Sequence, residues 1–251
     1  MTHAHAGNRG RRGSLAIAGL FALAGVAVLL ALGVWQLERL RWKTELIQRI
    51  ETRIHAAAQP LPAASVWTRF ASGDYEYQRV FATGVFEYDR EALIYRTSGK
   101  VAGAMAQPGY WVMTPLRLAD DARVLVNRGF IPLERKDTSR AQGRPDVAVT
   151  VIGVLRAPEP RGAFTPPDNP ARGEWFTRDP PAIAAALDLQ RTAPFSIDED
   201  AHPAASGLPA GGATIVDIPN NHLSYALTWF GLAATLAAVF AAFAWRRWRE
   251  N

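Results

Sequence analysis

The chain has 251 residues, 49% of them hydrophobic and 20% charged, with a formal net charge of +5. The surplus sits at the two ends: Arg9, Arg11 and Arg12 precede the first apolar run, Arg246, Arg247 and Arg249 follow the last, and 22 basic residues balance 22 acidic ones between Glu38 and Asn221. A nucleic-acid partner, which needs a basic face on the folded domain, is argued against, and the absence of cysteine excludes disulfides, thiolate catalysis and Cys-ligated metal or iron–sulfur sites.

After a basic tail at residues 1–13, the segment 14–37 carries no ionisable side chain. A helical span of the hydrocarbon core takes about 20 such residues. The apolar stretch Leu15–Leu32 exceeds the roughly 7–15 residues of a signal-peptide core, so it reads as a retained anchor. Nothing resembling a transit peptide precedes it, which favours a bacterial protein. Leu40, Ile47, Ile50 and Ile54 then recur at helical spacing, predicting a helical stalk over 38–59 that ends near Ala58, before Pro60-Leu61-Pro62.

From residue 60 to 220 the pattern is that of a mainly-β extramembrane domain. Gln78–Tyr88, Ala92–Thr97, Tyr110–Leu118, Arg123–Phe130 and Val147–Leu155 are rich in Val, Ile, Phe, Tyr and Thr, separated by turn residues. A Pro-laden loop at Ala157–Gly173 leads to a predicted strand at Trp175–Thr177 and a short helix at Pro181–Leu189. Strands at Pro194–Ile197 and Thr214–Ile218 flank a Gly/Ala/Pro linker at His202–Gly212. Short strands with frequent turns point to a small barrel or sandwich. The second transmembrane helix is expected over 221–245, with a basic tail at 246–251. Ala234, Ala238 and Ala242 would form a small-residue face for the first span, opposite Ala18, Ala22 and Gly25. The fold class is thus two transmembrane α-helices, one at each end, flanking the β domain. The positive-inside rule places both tails in the cytoplasm and the domain outside, against the membrane lipid.

His222 opens the second span, and His222, Tyr225, Ala226 and Trp229 share one helical face. From the residues alone, the imidazole is either a polar anchor at the membrane interface or an axial haem ligand. Neither a hydrolase motif, a phosphate loop nor a dinucleotide fingerprint is present, so no enzyme is expected. The Asp198-Glu199-Asp200 cluster lacks the glycine turn and following ligands of a calcium loop.

Several segments together carry a resemblance. They are Gly33-Val-Trp35-Gln36-Leu-Glu-Arg39, Pro108-Gly109-Tyr110-Trp-Val112, Val124-Leu-Val-Asn127-Arg128-Gly129-Phe130, Trp175-Phe-Thr-Arg178-Asp179 and Pro219-Asn220-Asn221-His222 through Trp229. In this order and at these spacings the chain resembles the surfeit locus protein 1 family of cytochrome c oxidase assembly factors, over residues 33–232. The resemblance implies a non-enzymatic role: binding haem a as cargo and aiding its insertion into the catalytic subunit of a haem–copper oxidase. The catalytic subunit and haem a synthase are the implied partners, in a bacterial inner membrane. The family's proposed ligand position falls on His222, which makes it the implied axial ligand of haem iron. Tyr225, Trp229, Trp35 and Gln36 become haem neighbours or interface packing, and Arg39 a partner for a haem propionate or a lipid headgroup. Asn127, Arg128 and Gly129 read as a turn rather than a binding site. The alternative function is a membrane scaffold that stabilises an oxidase intermediate without haem.

Overall fold

A computed structural model describes residues 4–69, 72–99, 107–136, 147–201, 208–212 and 220–249. The chain divides into a helical unit, residues 1–49 with 217–251, and a β unit, residues 50–216.

The helical unit pairs α1 (Ala4–Ile54) with α4 (His222–Arg249). Nothing in α1 interrupts it, since no proline occurs before residue 60. It ends at Ile54, one turn short of the Ala58 expected from the stalk pattern. Both helices are long and apolar enough to cross a membrane. Leu20, Phe21, Leu23, Leu227 and Val239 point outward, away from the pair. The two helices meet through glycine notches on α1. A Cβ on Gly19 would lie 3.2 Å from the Phe240 ring, on Gly25 3.0 Å from Leu236, and on Gly33 2.5 Å from the Phe230 ring. Residue numbers rise on α1 as they fall on α4, so the pair is antiparallel. Ala226 and Ala233 are buried in the same seam. The expected contact face Ala234, Ala238 and Ala242 is instead exposed. Close approach here comes from glycine on α1 receiving large side chains from α4, and one small partner per contact suffices.

In the β unit, β1 (Gln59–Pro60) and β2 (Arg79–Phe86) pair in parallel. Beyond β2 come β3 (Ala92–Gly99), β4 (Gln107–Leu118), β5 (Arg123–Pro132), β6 (Val149–Arg156) and β7 (Thr192–Glu199). The sheet runs β1-β2-β6-β7-β5-β4-β3, and β2 also pairs with β4 through Gly84↔Leu118, Val85↔Arg117 and Phe86↔Leu116. That extra pairing closes β2, β6, β7, β5 and β4 into a five-stranded barrel, the choice the sequence left open between barrel and sandwich. Gly84 permits the closure, because a side chain there would run into the Arg117 carbonyl. Alternation along β2 sends Val80, Ala82 and Phe86 inward to meet Leu116, Val124, Val126, Val151, Leu155, Phe195 and Ile197. A 3-10 helix at Ala64–Arg69 and α2 (Ser72–Tyr75) contribute Trp67 and Tyr75, whose rings pack on Phe195 at 5.7 and 5.0 Å.

The long apolar run of β5 is buried on both faces. Val124 and Val126 enter the barrel core. Leu125 lies in a second cluster with Ile183 and Ala184 of α3 (Pro180–Ala186), and Ile131 in a third with Leu208. Asp179 caps α3 by accepting from the Ala182 N–H at 3.2 Å, with Pro180 at the first helical position. Two expectations are corrected. Trp175–Thr177 is not a strand: Trp175 makes one bridge to Ile94 and accepts from the Tyr95 N–H at 2.8 Å. Asn127, Arg128 and Gly129 are not a turn but the middle of β5. Gly129 has φ +126°, and a Cβ there would collide with the Ala210 carbonyl, whose segment bonds Phe130 in both directions at 3.0 Å. The strand expected at Thr214–Ile218 falls outside the described residues.

Candidate functional site

The site is built where α4 begins. The Asn221 carbonyl accepts the first helical bond, from the Tyr225 N–H at 3.3 Å, and also the Ser224 hydroxyl at 2.8 Å. His222 is the first residue of α4 and half-buried. Across the seam Gln36, 9% exposed, sits one turn beyond the Gly33 notch and faces it. The Gln36 Oε1 and His222 Nδ1 are 2.7 Å apart, joining residues 186 positions apart in sequence. An amide oxygen can only accept, so with Oε1 turned to the ring this contact calls for a proton on Nδ1 and would leave the Nε2 lone pair for a ligand. Among the described residues, the His222 ring makes no other hydrogen bond. Two turns further along α1, Thr44 donates to the Leu40 carbonyl at 2.9 Å and accepts from the Asn220 side-chain amide at 3.4 Å. Polar ties therefore join the helices beside an otherwise apolar seam.

The remaining residues expected at this site spread around it. Trp35 and Tyr225 are 52% and 56% exposed and lie on the outer surface of the helix pair, while Trp229 is half-buried one turn along from Ala226. Arg39 stacks its guanidinium on Trp42, 4.1 Å from the ring centroid. The structure thus brings His222 and Gln36 into direct contact and leaves apolar rings and one stacked cation nearby on the same helices.

No group of three or more His, Asp or Glu side chains that could hold a metal ion occurs among the described residues. A bare ion such as zinc takes three or four protein ligands. Haem needs only one or two, because the porphyrin supplies the equatorial four. An isolated imidazole with an open Nε2 beside apolar surface therefore suits haem and does not suit a bare ion. His55 is engaged with Glu51 at 3.1 Å, and His3 and His202 lie outside the described residues.

Asp198 and Asp200 of the acidic run are each paired with arginine. Asp198, 4% exposed, accepts from Asn127 Nδ2 at 3.0 Å, Arg156 Nη1 at 3.2 Å and Arg178 Nη1 at 3.3 Å. Asp200 pairs with Arg79. Burial holds the Arg178 pKa below its usual value, against the opposing pull of Asp198. Arg96 pairs with Glu159 at 2.5 Å and lies 3.9 Å from the centroid of Trp111, whose ring Arg178 also approaches. Arg128 pairs with Glu91 at 3.4 Å, both nearly fully buried. Asn127, Arg128 and Arg178, prominent in the sequence, are thus joined to buried ionic networks of the barrel, a role their spacing did not reveal.

Two apolar helices in antiparallel contact, a closed five-stranded barrel between them in sequence, and a histidine paired with a glutamine across the helix seam define a helix-flanked β-barrel protein. The chain belongs to the SURF1 family, whose family model matches residues 23–234 and so includes both Gln36 and His222. It is 34% identical to Surfeit locus protein 1 of Mus musculus over 227 residues, covering 85% of this chain and 71% of the relative. To the Homo sapiens protein of the same name it is 34% identical over 215 residues, covering 81% and 69%. A SURF1-like protein of Monosiga brevicollis is 35% identical over 231 residues, covering 88% and 85%.

Proposed function

We propose that this protein is a membrane-bound assembly factor for a haem–copper terminal oxidase, binding haem a as cargo through His222 and aiding its delivery to the catalytic subunit. The observation that carries the proposal is the 2.7 Å pairing of His222 Nδ1 with Gln36, which leaves Nε2 as a ligand atom at the end of an apolar helix pair. Imidazole is the usual protein ligand of haem iron. Haem a would be held whole as cargo, its iron open to an imidazole, and the chain's residues would hold and orient it. Trp35, Tyr225 and Trp229 offer apolar rings for the macrocycle, and Arg39 a guanidinium whose bidentate geometry suits a propionate. Because the cargo leaves again, a single protein ligand fits the task better than a closed, multidentate cage.

The two helices anchor the chain in the respiratory membrane, taken here as a bacterial inner membrane. The basic tails lie on the cytoplasmic side and the barrel on the other, as the confinement of surplus charge to the tails supports. The test is oxidase assembly in cells lacking this chain. Purified oxidase should carry less than one full complement of haem a per catalytic subunit, restored by the wild-type chain and not by His222→Ala. Full restoration by His222→Ala would leave the scaffold reading in its place.

A further inference from the structure

We propose that Gln36 is a positioning residue that holds His222 in the tautomer protonated at Nδ1, so that Nε2 is the atom offered to haem iron; this rests on the ligand reading of His222. A neutral imidazole has one donor and one acceptor nitrogen, and which is which is set by what the other nitrogen meets. Here Nδ1 meets the Gln36 Oε1 at 2.7 Å, and the ring makes no other hydrogen bond among the described residues. With its oxygen toward the ring, the amide selects the tautomer.

The fold fixes this contact in three ways. Gln36 is 9% exposed, so its side chain has little room to swing away. Gly33, on the same face one turn earlier, admits the Phe230 ring and brings the helices close enough for a glutamine to span the gap. Ala226, one turn after His222 on α4, is buried at 1% exposure and adds no bulk between them. An amide left unpaired in an apolar seam would carry its full desolvation penalty, so the pairing is self-enforcing.

The choice of glutamine also bears on cargo release. Histidines that bind metals generally donate their second N–H to an acceptor, and a carboxylate in that position raises ligand basicity. A neutral amide fixes the ring without that added push and without burying a charge among apolar helices. The ring is oriented, yet the iron bond stays weak enough to exchange.

The experiment uses the full chain in lipid nanodiscs. Nitrogen-15 NMR of histidine-labelled apoprotein, with the His222 signals assigned by their loss in His222→Ala, reads the tautomer without haem. The wild type should show Nδ1 protonated and Nε2 bare, and Gln36→Leu should move His222 toward protonation at Nε2. Gln36→Glu, which keeps the acceptor, should retain the wild-type tautomer. Titration with haem a should then show Gln36→Leu binding about 10- to 100-fold more weakly, the range typical for loss of such a partner. Gln36→Glu should bind at least as tightly as wild type, with a shifted Soret band and slower release. A wild-type ring protonated at Nε2, as an amide turned to donate to Nδ1 would give, overturns the proposal. So does a Gln36→Leu chain with unchanged tautomer or unchanged haem affinity. If His222→Ala loses haem while Gln36→Leu matches wild type, only this proposal fails. If His222→Ala binds haem as wild type does, the ligand reading fails and takes this proposal with it.

Discussion

Replacing Asp198 by alanine should unfold the barrel more readily than any other single carboxylate change among the described residues. Asp198 is 4% exposed and collects hydrogen bonds from Asn127, Arg156 and Arg178, of which Arg178 is itself 4% exposed. Alanine leaves the Arg178 guanidinium buried without its ion-pair partner, and its Nε already lacks a hydrogen bond. Removing one partner of such a buried pair costs about 3–5 kcal/mol, mostly the penalty of the charge left behind. A domain of this size loses about 2–4 °C in melting temperature per kcal/mol, which gives a drop of roughly 6–20 °C. Asp198→Asn, which keeps one acceptor oxygen and the shape, should fall between alanine and wild type. Arg178→Met should be costly alone, and the double variant with Asp198→Ala should cost less than the two singles added, with a coupling of about 1–3 kcal/mol. Thermal unfolding of the full chain in detergent, followed by near-ultraviolet circular dichroism, makes the comparison. A loss below about 1 kcal/mol for Asp198→Ala, or strict additivity in the cycle, would refute the assignment of this network as a cost-sensitive buried pair.

Three further outcomes are expected. Gly33→Leu drives a side chain into Phe230, an overpacking of about 1–3 kcal/mol; the purified variant should lose haem a while its barrel keeps the wild-type near-ultraviolet signal. The Tyr75 phenol has a raised pKa, first from burial and then from the nearby charge of Glu76. It therefore contributes stability that is fully present below the unfolded value of about 10 and lost as pH rises through the folded value. Urea unfolding of wild type against Tyr75→Phe should show the difference between them changing above about pH 10, in the direction that disfavours wild type, and constant below it. Reporters inserted beside Phe164, which is 100% exposed, and at the C-terminus should report opposite sides of the membrane; matching signals would rule out the orientation.

Much of the barrel could be read from residue order because local pattern and tertiary environment agree there. Val80, Ala82 and Phe86 alternate as a strand with one buried face must, and the unbroken apolar run of β5 is covered on both faces in the fold. Closure of the barrel was not readable, since the β2–β4 pairing depends on Gly84 meeting the Arg117 carbonyl rather than on any local signal. Trp175–Thr177 has strand-forming composition, but it returns from the Pro loop and makes a single backbone bridge to β3, at Trp175. Glycine after Asn127-Arg128 signals a turn locally, whereas its positive φ serves the approach of Ala210, some eighty residues on. Alanines spaced by four on α4 mark a helix face without saying whether it is the one covered. His222 was legible as a candidate by its place at the head of an apolar helix. Its bond to Gln36 was not, because it spans 186 positions and exists only once the helices pair.

Whether His222 carries haem a can be read from the absorption spectrum of the full chain purified from haem-a-producing cells. The wild type should show a Soret and α-band typical of ligated haem a. His222→Ala, purified in equal yield and with the same circular dichroism, should lose most of that absorbance or show it shifted. Haem a bound by His222→Ala at wild-type stoichiometry, with an unchanged spectrum, would mean that His222 is not the ligand.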